Sequence, residues 1–205
     1  MKLYYAPGAC SLASHIVLRE LGRPFQLVAV SLARKTTADG RDFLTVNPKG
    51  YVPALELDDG AILTEGPAIL QYLADFEPAR ALAPPNGTLA RYRLQEWLAF
   101  INSELHKSFG PLFEATAPDV LKERARATLV RRLGYVAGVL PGPYLTGATF
   151  TVADAYLFTV LRWTKLTGPD LTQWPAIVAF QERVGARPAV LAALEFEGLV
   201  KKPAA

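Results

Sequence analysis

Between Glu77 and Gly87 the chain carries Pro78, Pro84, Pro85 and Gly87, punctuation that neither a helix nor a strand runs through, and the patterns on its two sides differ in kind. Before it, short β-like runs alternate with helical spacing. After Thr88 nearly every periodic segment is helical, so the sequence predicts two domains joined at the proline-rich stretch. On the N-terminal side the expected elements are a strand at 3–5, a helix at 11–21 and a second strand at 25–30, parallel to the first by βαβ logic. A short helical turn near 41–46 follows. Residues 54–57 and 61–63 then flank Asp58-Asp59-Gly60, an Asp-Gly hairpin signal, and a helix at 66–74 closes the unit.

The order β-α-β-α-β-β-α is that of a thioredoxin-like α/β domain, placed at 1–76 and followed by a linker at 77–87. Residues 88–205 are expected to form an all-α helical domain. Leu94, Trp97, Leu98, Ile101 and Leu105 give 89–109 helical spacing, and 120–140 reads as its antiparallel partner. Thr151-Val152-Ala153-Asp154, with Phe150 ahead of it, has the form of a capping box with a hydrophobic staple; it reads as the structural start of a buried helix, not as a catalytic aspartate. Residues 174–184 and 189–194 supply the last helices.

A chain of 205 residues, 51% of them hydrophobic, can bury a full core. Its one cysteine excludes an internal disulfide and with it a bridge-stapled secreted fold, so a cytoplasmic setting is expected. The initial apolar run ends at Pro7, shorter than the roughly 7–15 residues of an export signal. Residues 133–153 lack charge, but Gly134, Gly138, Pro141, Gly142, Pro143 and Gly147 make them a helix end and a turn, not a membrane span. Lys122, Arg124, Arg126, Arg131 and Arg132 share their segment with Glu123 and read as a solvated face. Neither a nucleic acid, a membrane nor a metal is expected as partner.

The chemistry centres on Cys10, where the first strand turns into the first helix. Backbone N–H groups and the positive end of the helix dipole favour a thiolate there; the competing reading is a small buried hydrophobe. The run Cys10-Ser11-Leu12-Ala13 lacks the second thiol of a Cys-x-x-Cys pair, so a mixed disulfide at Cys10 must be cleared by an outside thiol, for which glutathione is the cytoplasmic candidate. In Asn47-Pro48-Lys49-Gly50-Tyr51-Val52-Pro53, a cis Val52-Pro53 bond turns the Val52 backbone outward, where it can pair with a peptide; an ordinary edge-strand proline is the alternative. Glu65 in Thr64-Glu65-Gly66-Pro67 stands at a helix start, able to take an ammonium while the helix N–H groups take a carboxylate, or simply to complement the dipole. Ser11 and Tyr5 leave a hydroxyl-based site open, and His15 is expected to be structural. His106, on an otherwise apolar helix, is a packed residue by residue type, but its place to one flank of Leu98, Ile101 and Leu105 favours a site.

These segments resemble the cytosolic glutathione S-transferases, most closely the bacterial beta class. The resemblance lies in Tyr4 to Leu12, in Val46-Asn47-Pro48-Lys49-Gly50 with Val52-Pro53-Ala54-Leu55, and in Leu63-Thr64-Glu65-Gly66. It continues in Ser103-Glu104-Leu105-His106-Lys107 and in Phe150 to Tyr156, nearly the whole chain. It implies that Cys10 meets the glutathione sulfur by hydrogen bond or mixed disulfide, with His106 reaching the same region as the second catalytic residue. It implies glutathione contacts from Val52, Pro53, Glu65, Gly66 and Ser103, Lys35 facing the glycine carboxylate, and Glu104 extending toward a neighbouring subunit's glutathione in a homodimer. Two contacts depart from the family pattern: Ala99 stands where an amide side chain is frequent, and Gly66 where a serine is. Tyr5, Phe109, Phe113 and Trp163 are candidates for the wall of a small hydrophobic electrophile's site. The activity so implied is conjugation of glutathione to such electrophiles. Glutathione-dependent thiol-disulfide exchange or reductive dehalogenation through Cys10 is the alternative, and a non-catalytic binding protein that kept the fold is another.

Overall fold

The computed structural model describes residues 1–200. Its first unit is built on a five-stranded sheet in the order β3-β2-β1-β4-β5, made by β1 (Lys2–Tyr5), β2 (Gln26–Ser31), β3 (Thr36–Thr37), β4 (Ala54–Glu56) and β5 (Ile62–Thr64). β1 and β2 run parallel, with Leu3 opposite Leu27, and helix α1 (Ser11–Leu21) crosses between them. β4 pairs antiparallel with both β1 and β5. The Asp-Gly hairpin is where the sequence puts it: Gly60, at φ +86°, donates its N–H to Leu57 and lets the chain reverse. Helix α1 ends at Gly22, which takes the left-handed φ of +68° that stops a helix. Helix α2 (Gly66–Phe76) buries Ile69, Leu70 and Leu73 and closes this thioredoxin-like arrangement.

The helical turn expected near 41–46 is present, in shortened form. Where a turn of helix was expected at 41–46, the chain adds the edge strand β3 and then a single 3₁₀ turn, Phe43–Thr45, capped by the Asp42 carboxylate accepting from Leu44 N–H at 2.9 Å. Pro48 and Gly50 follow too closely for the turn to lengthen.

The second unit spans Ala83–Gly185. Helix α3 (Leu89–Phe100) starts at Thr88, whose hydroxyl accepts from Arg91 N–H. The expected continuous helix to residue 109 instead widens into a π-helix over Ile101–His106 and tightens into a 3₁₀ turn at Lys107–Phe109 before the short α4 (Gly110–Phe113). The long α5 (Asp119–Val139) follows, and then α6 (Val152–Arg162), buried on every side from Val152 to Leu161 as the helix at the centre of a bundle must be. Asp154 closes the capping box at its start: its carboxylate accepts from Thr151 N–H at 2.7 Å and from Leu145 N–H at 2.8 Å. The short α7 (Thr164–Thr167) and then α8 (Pro175–Gly185) complete the unit. Among the described residues no helix is long and apolar enough to cross a membrane.

Helix α9 (Pro188–Phe196) does not join the helical unit, although the sequence reading placed everything from 88 to 205 there. By its contacts the stretch 186–200 groups with Met1–Leu82, where α9 packs against α1. Apolar spacing marks a face of α9 that must be covered but carries no information about which helix covers it. Residues 201–205 of the expected domain lie outside the described residues.

Candidate active site

β1 leads out of the core at Tyr5, and the segment from Ala6 to Cys10 folds back on itself before α1 begins. Ser11 fastens this loop: its hydroxyl donates to Ala6 C=O at 3.3 Å and lies 3.2 Å from Ala6 N–H, from which it accepts. The serine is fully buried and its hydroxyl is committed to the backbone, so the hydroxyl-based alternative at Ser11 falls. Cys10 occupies the N-cap position of α1, half-buried, with the helical dihedrals φ −58° and ψ −21°. Its thiol does not cap the first turn; it donates to Val52 C=O at 3.1 Å.

The Val52-Pro53 peptide bond is cis, and both residues are buried beside Cys10. The turn before them is held by Asn47, 2% exposed, whose amide donates to Tyr51 C=O at 2.7 Å and whose side-chain oxygen accepts from Lys49 N–H. Gly50, at φ +69°, donates to Asn47 C=O. Lys35 packs on this turn, its ammonium on Gly50 C=O at 2.9 Å and over the Tyr51 ring at 5.7 Å. Glu65 stands at the start of α2 with φ +70° and ψ 114°, a left-handed conformation that costs a non-glycine residue about 1–3 kcal/mol and is kept where surroundings impose it. Its exposed carboxylate is held by Lys49 Nζ at 2.6 Å, which also donates to Thr64 Oγ1. A Cβ on Gly66 would meet Pro53 at an ordinary 4.0 Å, so the serine frequent at this position in the family has room.

Behind the Cys10 loop, within the same unit, lies a polar network that sequence reasoning missed. Glu197, fully buried as a side chain, accepts from Gly8 N–H through Oε2 and meets His15 Nδ1 through Oε1, both at 2.8 Å. His15 is structural as expected, but its partner sits 182 positions along the chain. Tyr5 packs against the His15 and Phe196 rings, 8% exposed, and burial next to Glu197 raises its hydroxyl pKa. It belongs to this packing and offers little open surface for an electrophile.

In the helical unit, His106 lies at the end of the π-helix, with the Trp163 ring at 4.8 Å edge-on and Tyr156 hydroxyl at 2.7 Å from Nδ1. Burial first, and then the charge of Lys107, lower its pKa to about 4, so the ring is neutral at physiological pH. Phe109, Phe113 and Trp163 form one aromatic cluster beside it. Phe109 and Trp163 are buried and Phe113 is half-exposed, so only Phe113 of the three offers substantial surface. Ser103 donates back to Ala99 C=O at 3.0 Å, and Glu104 pairs with Arg132 of its own chain. Lys49, Asn102 and Tyr156 were not singled out from sequence as site residues. Lys49 and Tyr156 lie inside quoted motifs, and that was the available signal.

Among known proteins, the family models described as "Glutathione S-transferase, N-terminal domain" and "Glutathione S-transferase, C-terminal domain" match residues 8–75 and 100–188. The chain is 52% identical to glutathione S-transferase GstA of Escherichia coli O157:H7 over 200 residues, covering 97% of this chain and 100% of the relative. It superposes on a sphingomonad glutathione S-transferase solved in complex with glutathione, with a TM-score of 0.94 and 49% identity over 98% of this chain and 100% of that one. A bacterial beta class enzyme from Sphingomonas chungbukensis gives a TM-score of 0.94 and 50% identity, again over 98% and 100%. With both halves matched and these relatives covered end to end, the chain belongs to the glutathione S-transferase family, in its bacterial beta class.

Proposed function

We propose that the protein binds glutathione on its thioredoxin-like unit and conjugates it, as thiolate, to small hydrophobic electrophiles, working in the cytoplasm as a homodimer. The observation that carries this reading is the meeting of the Cys10 thiol with the Val52 carbonyl at 3.1 Å. A peptide pairing antiparallel with Val52 directs an N–H at that same carbonyl. Glutathione binding therefore displaces the Cys10 proton donor from its resting acceptor and turns it toward the incoming sulfur. At the other end of the peptide, the γ-glutamyl ammonium takes Glu65 in competition with Lys49, while the α2 N-terminus receives the neighbouring carboxylate. Lys35 remains the candidate for the glycine carboxylate. His106 is the proposed second catalytic residue, and Val52, Pro53, Gly66, Ser103 and Glu104 the further glutathione contacts, on the family resemblance.

A reactive cysteine also favours a second reading, thiol-disulfide exchange or reductive dehalogenation through a Cys10 mixed disulfide. Cys10→Ala separates the two. For conjugation, its rate with a generic aromatic electrophile is expected to fall about tenfold at neutral pH, because a thiol near its ordinary pKa of about 8.5 is only slightly ionised; exchange is expected to vanish. Wild-type conjugation with exchange lost moves Cys10 to the second reading, and a wild-type protein that neither binds glutathione nor shows either activity removes both. Glu65→Ala is expected to raise the glutathione Kd at least tenfold by calorimetry, about 1.4 kcal/mol. An unchanged Kd takes Glu65 out of the site.

A further inference from the structure

His106 can present either ring nitrogen to a ligand, and the two differ in kind: one carries a proton, the other a lone pair. The surroundings choose between them. The Tyr156 hydroxyl, on a residue 2% exposed at the middle of α6, donates its single proton to Asn102 Oδ1 at 3.0 Å. Its oxygen also lies 2.7 Å from His106 Nδ1. With the phenolic proton given to Asn102, that short contact is a hydrogen bond only if Nδ1 carries the proton and donates it.

We propose that Tyr156, oriented by Asn102, is a positioning residue that fixes His106 as its Nδ1–H tautomer and so makes Nε2 the lone-pair nitrogen offered to the reaction. The π-helix supplies the geometry. Asn102 and His106 both lie in the widened segment Ile101–His106, four positions apart, and both reach the same hydroxyl on α6, so the donor order Nδ1–H to Tyr156 to Asn102 runs in one direction. The Trp163 ring, 4.8 Å away and edge-on, and the Tyr156 ring at 6.0 Å confine the imidazole plane. A lone pair at Nε2 accepts a hydrogen bond from a thiol S–H; the opposite tautomer presents an N–H, which favours a thiolate already formed. The relay therefore decides which state of a sulfur His106 recognises. That consequence rests on the proposed role of His106, whereas the tautomer itself does not.

The test is ¹⁵N-edited NMR of the imidazole in the full-length protein, which separates a pyrrole-type from a pyridine-type nitrogen. In the wild type Nδ1 is expected to be pyrrole-type and Nε2 pyridine-type. Tyr156→Phe removes the acceptor and is expected to shift the ring toward the Nε2–H form. Asn102→Ala is a second variant that keeps Tyr156 and frees its proton to turn toward Nδ1, with the same expected shift. In steady-state assays both variants are expected to lose about tenfold in kcat, with the glutathione KM within about twofold, the pattern of a lost orienting partner. A wild-type ring protonated at Nε2, or a tautomer unmoved in both variants, overturns the proposal. A shifted tautomer with unchanged kcat upholds the relay and removes His106 from the proposed reaction.

Discussion

Glu197→Ala is expected to destabilise the protein by about 3–5 kcal/mol, read as a lowered urea midpoint, the magnitude typical of removing one partner from a buried polar pair. Arg19 Nε donates to His15 Nε2 at 2.8 Å, and an arginine only donates, so His15 accepts at Nε2 and donates at Nδ1 to Glu197. The other carboxylate oxygen takes Gly8 N–H. Alanine takes this carboxylate from both donors, and His15 is fully buried. Glu197→Gln keeps one carbonyl for two donors and is expected to cost less, about 1–3 kcal/mol. Faster alkylation of Cys10 in the Glu197 variants would accompany the loss, because the loop that presents the thiol is released. An unchanged midpoint in Glu197→Ala would show that the network contributes nothing to stability.

Asp154→Ala is expected to cost about 3 kcal/mol or more. The carboxylate accepts from Leu145 N–H, Thr151 N–H and the Thr151 hydroxyl, all buried, and alanine strands them at the start of the most buried helix in the chain. A pH signature distinguishes this group from its neighbours. Burial pushes the carboxyl up to about 6, against the hydrogen bonds from Leu145 and Thr151 that hold it down. Unfolded, it titrates near about 3.9. Between those values the folded protein holds a proton that the unfolded chain has released. The associated stability is therefore full below about pH 4 and lost as pH rises through about 6, roughly 3 kcal/mol in all. Urea midpoints measured from about pH 4 to pH 7 should lose this component of slope in Asp154→Asn; an identical slope in both proteins would assign it elsewhere.

Local chemistry made much of this legible. The helix 11–21, the Asp-Gly hairpin and the capping box at Thr151 were readable because each is specified by residues within a few positions of one another. The cis bond before Pro53 and the place of Glu65 at a helix start came from motif context. What stayed hidden depends on distant partners. Nothing near His15 announces Glu197, and nothing in the run from Leu89 to Phe109 announces a π-helix, since the residues of that run keep ordinary helical spacing while the segment shares its hydroxyl partner with α6. The second helical element is short by competition: Asp42 capping and the following proline and glycine left room for one 3₁₀ turn only. For the aromatic residues, composition could name Phe109, Phe113 and Trp163 but not say which would be exposed.

The membership of α9 in the first unit has a consequence for the order in which the protein is made. Residues 1–82 emerge from the ribosome before the helix that completes their packing, and about 100 residues of the other unit come between. At about 5–20 residues per second, the Cys10 loop waits roughly 10–40 seconds for Glu197. During that interval His15 and Gly8 have no carboxylate, and the nascent thiol is held only by contacts within its own segment of chain. Exposure to oxidants or alkylating agents during synthesis should therefore mark Cys10 more readily than the same exposure after release, a vulnerability of the chain in time and not of the finished fold.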